Sequence, residues 1–113
     1  MPERVIKSIA ELFGVLSHPS RIHIIVLLSD GERDVTEIHE LLGISQSSVS
    51  QHLGILRTHR IVNLRREGTR AVYALNSKKV IEVINKALEL FELEIAEVES
   101  LRKVINKVLT FKK

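Results

Sequence analysis

Hydrophobic side chains recur at helical spacing through the first part of the chain. Residues 3–16 place apolar residues three and four positions apart, as an amphipathic helix does. These residues are Val5, Ile6, Ile9, Leu12, Phe13 and Leu16. The stripe is wide, so we expect this helix to pack against more than one surface. His18-Pro19 predicts the start of a second, core helix that runs to about Ser29, because proline is favoured at the first helical position.

Two further helices are predicted, joined by a tight turn. Asp34 has a capping-box partner three residues on in Glu37, and Gly43 is suited to ending the helix that begins there. Ser45 is a good N-cap for a fourth helix that extends to Thr58. The apolar stripe of this fourth helix is Val49, Leu53 and Leu56. Helix, turn and helix at this spacing are typical of a helix-turn-helix unit.

The fourth helix begins with an unusual set of polar residues. Residues 45–51 contain both glutamines of the chain and four of its ten serines, whereas surface helices normally carry Lys, Glu and Arg. Glutamine can hydrogen-bond base edges in the major groove of DNA, and serine can contact phosphates. We therefore interpret residues 44–58 as a recognition helix. Its expected DNA contacts are Gln46, Ser47, Ser48, Ser50 and Gln51.

After Thr58 the pattern changes to that of strands. Residues 61–66 and 70–75 are predicted strands, and the Gly-containing turn between them makes a β-hairpin. A basic hairpin after a helix-turn-helix is a wing that can reach the DNA backbone or an adjacent minor groove. The arginines that flank its tip are Arg65, Arg66 and Arg70. Tyr73 stands alone in the hairpin, so we expect it to pack rather than to stack on bases.

No Gly or Pro interrupts the chain after Ser77, which is a good N-cap. Apolar residues then recur every seven positions, at Ile84, Phe91, Val98 and Ile105. One helix of about thirty residues would extend roughly 45 Å, so it would need a partner, and a second copy of the chain is the simplest one. Two helices folded back on each other, with a break near residues 97–100, fit the same pattern.

These elements predict a mainly α-helical protein with a small β-hairpin (α+β), a winged helix-turn-helix with a long C-terminal dimerisation helix. We divide it into residues 1–76, which bind DNA and place the first helix in the dimer interface, and residues 77–113, one or two helices for dimerisation. The length of 113 residues suits one domain. With 44% apolar and 27% charged residues, the chain is neither disordered nor fibrous.

Charge is distributed unevenly along the chain. The segment from Arg57 to Lys79 carries seven basic residues and one acid, whereas the segment from Glu82 to Glu99 carries six acids and one lysine. The basic segment directly follows the polar helix, as expected of a protein whose partner is a polyanion such as DNA. Arg57 therefore joins the candidate DNA-binding residues.

Other classes of function lack their signals. The chain has no cysteine, which excludes disulfides and thiolate metal sites, and its five histidines lack a metal-site spacing. Ser48 and His52 lie one helical turn apart, but there is no nucleophile elbow or phosphate loop, so we expect no enzyme activity. No signal peptide or membrane-length apolar run is present, and we expect a cytoplasmic protein without a membrane partner.

Three stretches carry a family resemblance. They are Leu-Ser-His-Pro-Ser-Arg-Ile-His-Ile-Ile (16–25), Ile-Ser-Gln-Ser-Ser-Val-Ser-Gln-His-Leu-Gly-Ile-Leu-Arg (44–57) and Val-Asn-Leu-Arg-Arg-Glu-Gly-Thr-Arg-Ala-Val-Tyr-Ala-Leu (62–75). Over about residues 5–90 the chain resembles the ArsR/SmtB family of bacterial and archaeal winged-helix repressors. The resemblance implies a homodimer held by the first and last helices, which binds an inverted repeat in its operator and is released by a small effector, often a metal ion.

The resemblance also assigns roles to residues. It puts Gln46, Ser47, Ser50 and Gln51 on the operator with Ser48 close by, puts Arg65 to Arg70 on the wing, and matches His52 to a recognition-helix histidine that packs or contacts a phosphate. With the apolar stripes, it implies an interface at Ile6, Ile9, Phe13, Ile84, Leu88, Phe91 and Val98. The family's metal sites do not carry over, because residues 35–42 lack cysteine and residues 77–113 lack Asp and His. We expect no metal and no cofactor, and an effector, if there is one, that is an unfamiliar small molecule or a protein.

A second interpretation is a winged helix that serves as a protein-interaction or architectural DNA-binding module. In that case the long last helix would bind a different protein, and the basic segment would attach to DNA of any sequence. A nonspecific binder gains more from Lys and Arg at the helix tip than from Ser and Gln. The polar tip therefore favours the sequence-specific repressor.

Overall fold

The computed structural model describes residues 2–91 and 96–111, with the backbone alone at 96–98 and 111. Within these residues the helices are α1 (Glu3–Leu16), α2 (Pro19–Leu28), α3 (Val35–Leu42), α4 (Gln46–Thr58), α5 (Lys79–Phe91) and α6 (Ala96–Phe111). The strands are β1 (Arg33–Asp34), β2 (Val62–Glu67) and β3 (Arg70–Leu75). The predicted mainly helical fold with a small sheet is confirmed.

The ends of α3 and the start of α4 follow the local sequence signals. At the start of α3 the backbone N–H of Glu37 donates to Asp34 Oδ1 (2.8 Å) and that of Asp34 donates to Glu37 Oε1 (3.1 Å), so the capping box is complete. Gly43 ends the helix with a left-handed backbone (φ +70°). The Ser45 hydroxyl caps α4 by accepting from the Ser48 N–H (3.1 Å). All three predictions are confirmed.

The sheet has one more strand than the predicted hairpin. Strands β2 and β3 form the hairpin with Glu67 opposite Arg70 at its tip, and Gly68 turns the chain with φ +63°. Strand β1 lies on the other side of β3, where Arg33 pairs with Tyr73 and Asp34 with Val72. Two residues are too few to show the alternation that predicts a strand, so β1 is recognisable only by its partner.

The core lies where five helices meet below the sheet. It includes fully buried side chains from α2 through α6, namely Ile24, Ile25, Ile38, Val49, Leu53, Leu56, Ile81 and Ile105. Tyr73, at 9% exposure, packs into the same cluster, which confirms its predicted structural role. The helix-turn-helix is therefore seated on the same core as the C-terminal helices.

The C-terminal region forms two helices rather than one. Helix α6 packs against α5 and returns to the core, where Ile105 is fully buried. Helix α5 ends at Phe91 and α6 begins at Ala96, so residues 97–100, where the break was expected, are helical. A seven-residue apolar repeat describes one stripe whether the helix continues or folds back, so the sequence pattern left both arrangements open. Residues 92–95, which include part of that repeat, lie outside the described residues.

Folding back changes which apolar residues face outward. Ile84 is 7% exposed and belongs to the core, and Leu88 packs half-buried against it, so these two expected interface residues serve the protomer itself. Ile6, Ile9, Phe13 and Phe91 are exposed. The side chain of Val98 lies outside the described residues.

No single helix among the described residues is long and apolar enough to span a membrane. Helices α1 and α2 satisfy the criterion only as a pair, and that pair is bent by 88°.

Candidate nucleic-acid interface

Helix α4 turns one face into the core and the opposite face outward. Val49, Leu53 and Leu56 are fully buried, which fixes the rotation of the helix about its axis. Ser47 and Gln51, on the opposite side, are therefore exposed, as are Gln46 and Ser50 on one flank. The four side chains that the sequence assigned to an operator thus lie together on the accessible side of α4.

The serines at the tip differ in whether their hydroxyl groups already form hydrogen bonds within the chain. Besides capping the helix, Ser45 donates to Ser48 Oγ (3.0 Å) and lies 3.2 Å from Ser47 Oγ. Ser48 is half-buried, so it belongs to the cap more than to the outer surface. Within the described chain the side chains of Gln46, Ser50 and Gln51 make no hydrogen bond, and their donors and acceptors are available to a ligand.

A polar groove separates α4 from the hairpin. Its volume is about 530 Å³, and Gln46 and Ser50 line it from one side while Arg66, Thr69 and Arg70 line it from the other. In β2 the side chain of Arg66 lies on the same face as Leu64, and it forms no ion pair with any described residue. The groove therefore brings the uncharged hydrogen-bonding side chains of Gln46, Ser50 and Thr69 together with the free guanidinium of Arg66.

The other two hairpin arginines are already paired with carboxylates. Arg65 forms ion pairs with Glu67 and with Glu32. The hydrogen bond from Arg65 lowers the pKa of the Glu67 carboxyl, and Glu67 and Glu32 together raise the pKa of the Arg65 guanidinium. Glu67 was visible in the sequence as a neighbour on the hairpin, but Glu32 is brought there only by the fold.

Arg70 connects the hairpin to the start of α3. Its Nε donates to Asp34 Oδ2 (3.0 Å), and its other nitrogens lie 3.5 Å from Glu37 and 3.6 Å from Glu67. The pKa of the Asp34 carboxyl is lowered chiefly by the hydrogen bond from the Glu37 backbone and further by Arg70. The sequence places Arg65 and Arg70 at the hairpin tip, but only the fold brings Glu32, Asp34 and Glu37 beside them.

The flank of α4 away from the hairpin contains a side-chain pair of which only the α4 member, His52, was predicted from the sequence. Arg21 of α2 is only 8% exposed, and its Nε donates to Nδ1 of His52 (3.2 Å) while its Nη1 donates to the Val15 carbonyl (3.0 Å). The His18 ring lies 6.0 Å from the His52 ring. Burial lowers the pKa of His52, and the charges of Arg21 and His18 lower it further.

The remaining candidate residues have simpler surroundings. Arg57 is exposed in the last turn of α4. Across residues 2–91 and 96–111 no three His, Cys, Asp or Glu side chains are grouped so as to hold a metal ion. The site presents hydrogen-bond donors and acceptors beside positive charge. This suits a nucleic acid, which has anionic phosphates and base edges that form hydrogen bonds.

Comparison with known proteins gives matches over most of the chain. A family profile described as "Bacterial regulatory protein, arsR family" matches residues 18–63. The biofilm growth-associated repressor of Xylella fastidiosa is 35% identical over 89 residues, which cover 79% of this chain and 78% of that protein.

Two solved structures extend the match to the fold. The crystal structure of Rv0081 from Mycobacterium tuberculosis is similar with a TM-score of 0.67 at 32% identity, covering 99% of this chain and 97% of that one. The homodimeric winged helix-turn-helix DNA-binding domain Mb0332 from Mycobacterium bovis has a TM-score of 0.71 at 28% identity and covers 81% of this chain and 87% of its own. The first match includes the C-terminal helix α6.

Proposed function

From the premise that the chain belongs to the ArsR family of bacterial regulatory proteins, we propose that it is a homodimeric repressor that binds an inverted-repeat operator. Family members of this kind are transcriptional regulators with a winged helix-turn-helix, not enzymes. The observation that carries the proposal is the groove in which Gln46 and Ser50 face the free guanidinium of Arg66. Base-reading and phosphate-binding groups are side by side there.

In the proposed complex α4 enters the major groove of DNA. Gln46 and Gln51 contact base edges, and each well-placed glutamine contributes about 1 to 3 kcal/mol of discrimination. Ser47 and Ser50 contact phosphates. Arg66 and Arg57 contact phosphates and supply salt-sensitive affinity. Two copies of α4 related by a twofold axis would read half-sites roughly 34 Å apart.

The proposed dimer interface is the exposed apolar surface of α1 and α5. Phe13 is 56% exposed, Leu90 80% and Phe91 68%, and Ile6 and Ile9 are also exposed. Phe13 and Leu90 line one apolar cavity between the two helices, so the two faces form one surface. Clustered apolar side chains of this kind mark interaction sites, and a symmetric second copy is the commonest partner. The homodimeric Mb0332 supports this choice.

We propose that residues 1–76 bind DNA and that residues 77–113 serve dimerisation. This is a division of roles. It is not a division into separately folded units, because Ile81, Ile84 and Ile105 belong to the core that seats α4. Val98 stays in the proposed interface, whereas Ile84 and Leu88 do not. The signal that the regulator senses is proposed to act without a thiolate or Asp/His metal site, through a small molecule or a protein.

The test is a footprint of the purified protein on the DNA upstream of its own gene, with a scrambled duplex as competitor at two salt concentrations. We expect protection of an inverted repeat with half-sites one helical turn apart that persists at the higher salt. Lys107→Ala, on the exposed side of α6, serves as the control variant. Equal binding to both duplexes that disappears with salt would contradict the proposal and favour an architectural role.

A further inference from the structure

We propose that Arg21 is a positioning residue that holds His52 as the tautomer protonated at Nε2, so that Nε2–H donates a hydrogen bond to a DNA phosphate. This rests on the proposed function, since it places α4 on DNA. It adds a contact on the flank of α4 that faces away from the hairpin. The phosphate meets the neutral ring of His52, while the charged guanidinium of Arg21 contacts the other ring nitrogen.

The tautomer follows from the donor that faces the ring. A guanidinium has five N–H donors, no acceptor, and does not lose its proton in proteins. Because Arg21 Nε lies 3.2 Å from His52 Nδ1, Nδ1 must accept, and the single proton of the neutral ring is then on Nε2. In the described part of the molecule no hydrogen bond uses Nε2, so its donor is available.

Arg21 is well held for this role. It is 8% exposed, and its Nη1 donates to the Val15 carbonyl (3.0 Å) in the last turns of α1. The guanidinium is thus fixed at two ends, by the backbone of α1 and by the ring on α4. A buried arginine is costly unless its donors are satisfied, and here the histidine is one of the two acceptors.

The position of His52 on α4 separates it from the hairpin side. His52 follows Ser50 by two residues, which is a rotation of about 200° around the helix, so it cannot share the groove with Arg66. The ring is half-buried rather than enclosed. A phosphate oxygen accepts hydrogen bonds and never donates them, so a ring whose outward nitrogen always donates is suited to it.

The first experiment measures the tautomer in the free protein by long-range ¹H–¹⁵N NMR of the histidine rings. We expect the His52 signals of an Nε2–H ring above its pKa, and a mixture of both tautomers in Arg21→Met, which keeps the bulk of the side chain but removes its donors. His59, exposed at the end of α4, is the internal control in both proteins. An Nδ1–H ring in the wild type would overturn the proposal, even if Arg21→Met failed to fold.

The second experiment measures affinity for the upstream and scrambled duplexes as a function of salt. We expect His52→Asn to lower the affinity for both duplexes about tenfold, with an unchanged slope against salt concentration, because a neutral donor releases no counterion. His59→Asn should bind as the wild type does. An unchanged affinity of His52→Asn, or a slope reduced by about one per protomer, would overturn the proposal.

The third experiment combines the variants. The side-chain amide of glutamine can place an N–H where Nε2 lies without needing Arg21, so Arg21→Met should weaken DNA binding about tenfold in the wild type but little further in His52→Gln. An equal loss in both backgrounds would mean that Arg21 acts only by supporting the fold.

If α4 does not read DNA sequence at all, Gln51→Ala will leave the footprint unchanged. That result would contradict the proposed function while the NMR test of the pair still stands.

Discussion

The tip of α4 and the hairpin wing face each other across one groove, but they differ in the charge of their side chains and in how many of those side chains are already paired. The tip has small or uncharged side chains, and Gln46, Ser50 and Gln51 have no partner in the described chain. The wing has three arginines, but Arg65 and Arg70 are paired with carboxylates and only Arg66 is free of ion pairs among the described residues. Counting basic residues therefore overstates the charge that the wing offers to DNA.

Because of this difference, the tip and the wing should lose different properties when they are mutated. The tip should determine which DNA is bound, while Arg66 should determine how strongly any DNA is bound. Arg65 and Arg70 should act mainly on the position of the wing.

Gln51→Ala is expected to have the largest effect. Removing one base contact from each half-site should lower the affinity for the operator about 100-fold while leaving the affinity for a scrambled duplex nearly unchanged. Competitive fluorescence-anisotropy titrations of the two duplexes measure this ratio, with Lys107→Ala as the control. A parallel loss on both duplexes would assign Gln51 to the phosphate backbone instead.

Arg66→Ala should weaken binding to both duplexes by about tenfold. The slope of log K against log salt should become smaller by about two for a dimer, since each released phosphate contact changes it by roughly 0.9. The same titrations at four salt concentrations provide the slope. If Arg65→Ala lowered the slope as much as Arg66→Ala does, the distinction between free and paired arginines would be wrong.

Acidification should affect the two sides of α4, the His52 flank and the hairpin side, in different pH ranges. The pKa of His52 is lowered from 6.5, and the pKa values of Asp34 and Glu67 are lowered from 3.8 and 4.5. In each case the unfolded chain binds the proton more readily, so stability is complete above the ordinary pKa and falls as the pH drops through the lowered one. Stability should decline first below about pH 6.5 and again below about pH 4.5.

Urea unfolding between pH 8 and pH 3 measures both declines. His52→Gln should remove the upper one, and Asp34→Asn should reduce the lower one while leaving the upper one in place. A wild-type stability that stays constant from pH 7 to pH 5 would contradict the assignment for His52.

The smallest expected effect comes from freeing a paired arginine. Glu32→Gln combined with Glu67→Gln removes both carboxylates from Arg65, so the wing gains a cation without gaining a basic residue. Affinity for any duplex should rise about twofold to fivefold at low salt and return to the wild-type value at high salt. Gel-shift titrations at both salt concentrations test this, and no gain at low salt would show that the ion pairs do not limit Arg65.

Local signals predicted the helices and the tip well because they act over three or four residues. The capping box at Asp34, the Ser45 cap and the stripe of Val49, Leu53 and Leu56 are all of this kind. The packing of Tyr73 was also predicted, because it stands alone in the hairpin. These features are decided by neighbours in the chain, so a single sequence contains the information.

The features that were missed depend on residues far apart in the chain. Arg21 meets His52 across 31 positions and Arg65 meets Glu32 across 33, and neither pair has a sequence signature. Arginine in an amphipathic helix ordinarily faces solvent, so the burial of Arg21 runs against its residue type. The fold-back of α6 was left open because the apolar repeat of Ile84 and Ile105 fits either arrangement.

Asp34 takes part in three structures at once. It pairs with Val72 in the sheet, caps α3 with its side chain, and binds Arg70 of the wing. The wing therefore cannot move independently of the helices beside it. Helix α4 and the wing act as one rigid unit. In the proposed complex, an inserted base pair inside a half-site would therefore have to be accommodated by distorting the DNA, and only the distance between half-sites would be left for the proposed dimer to adjust.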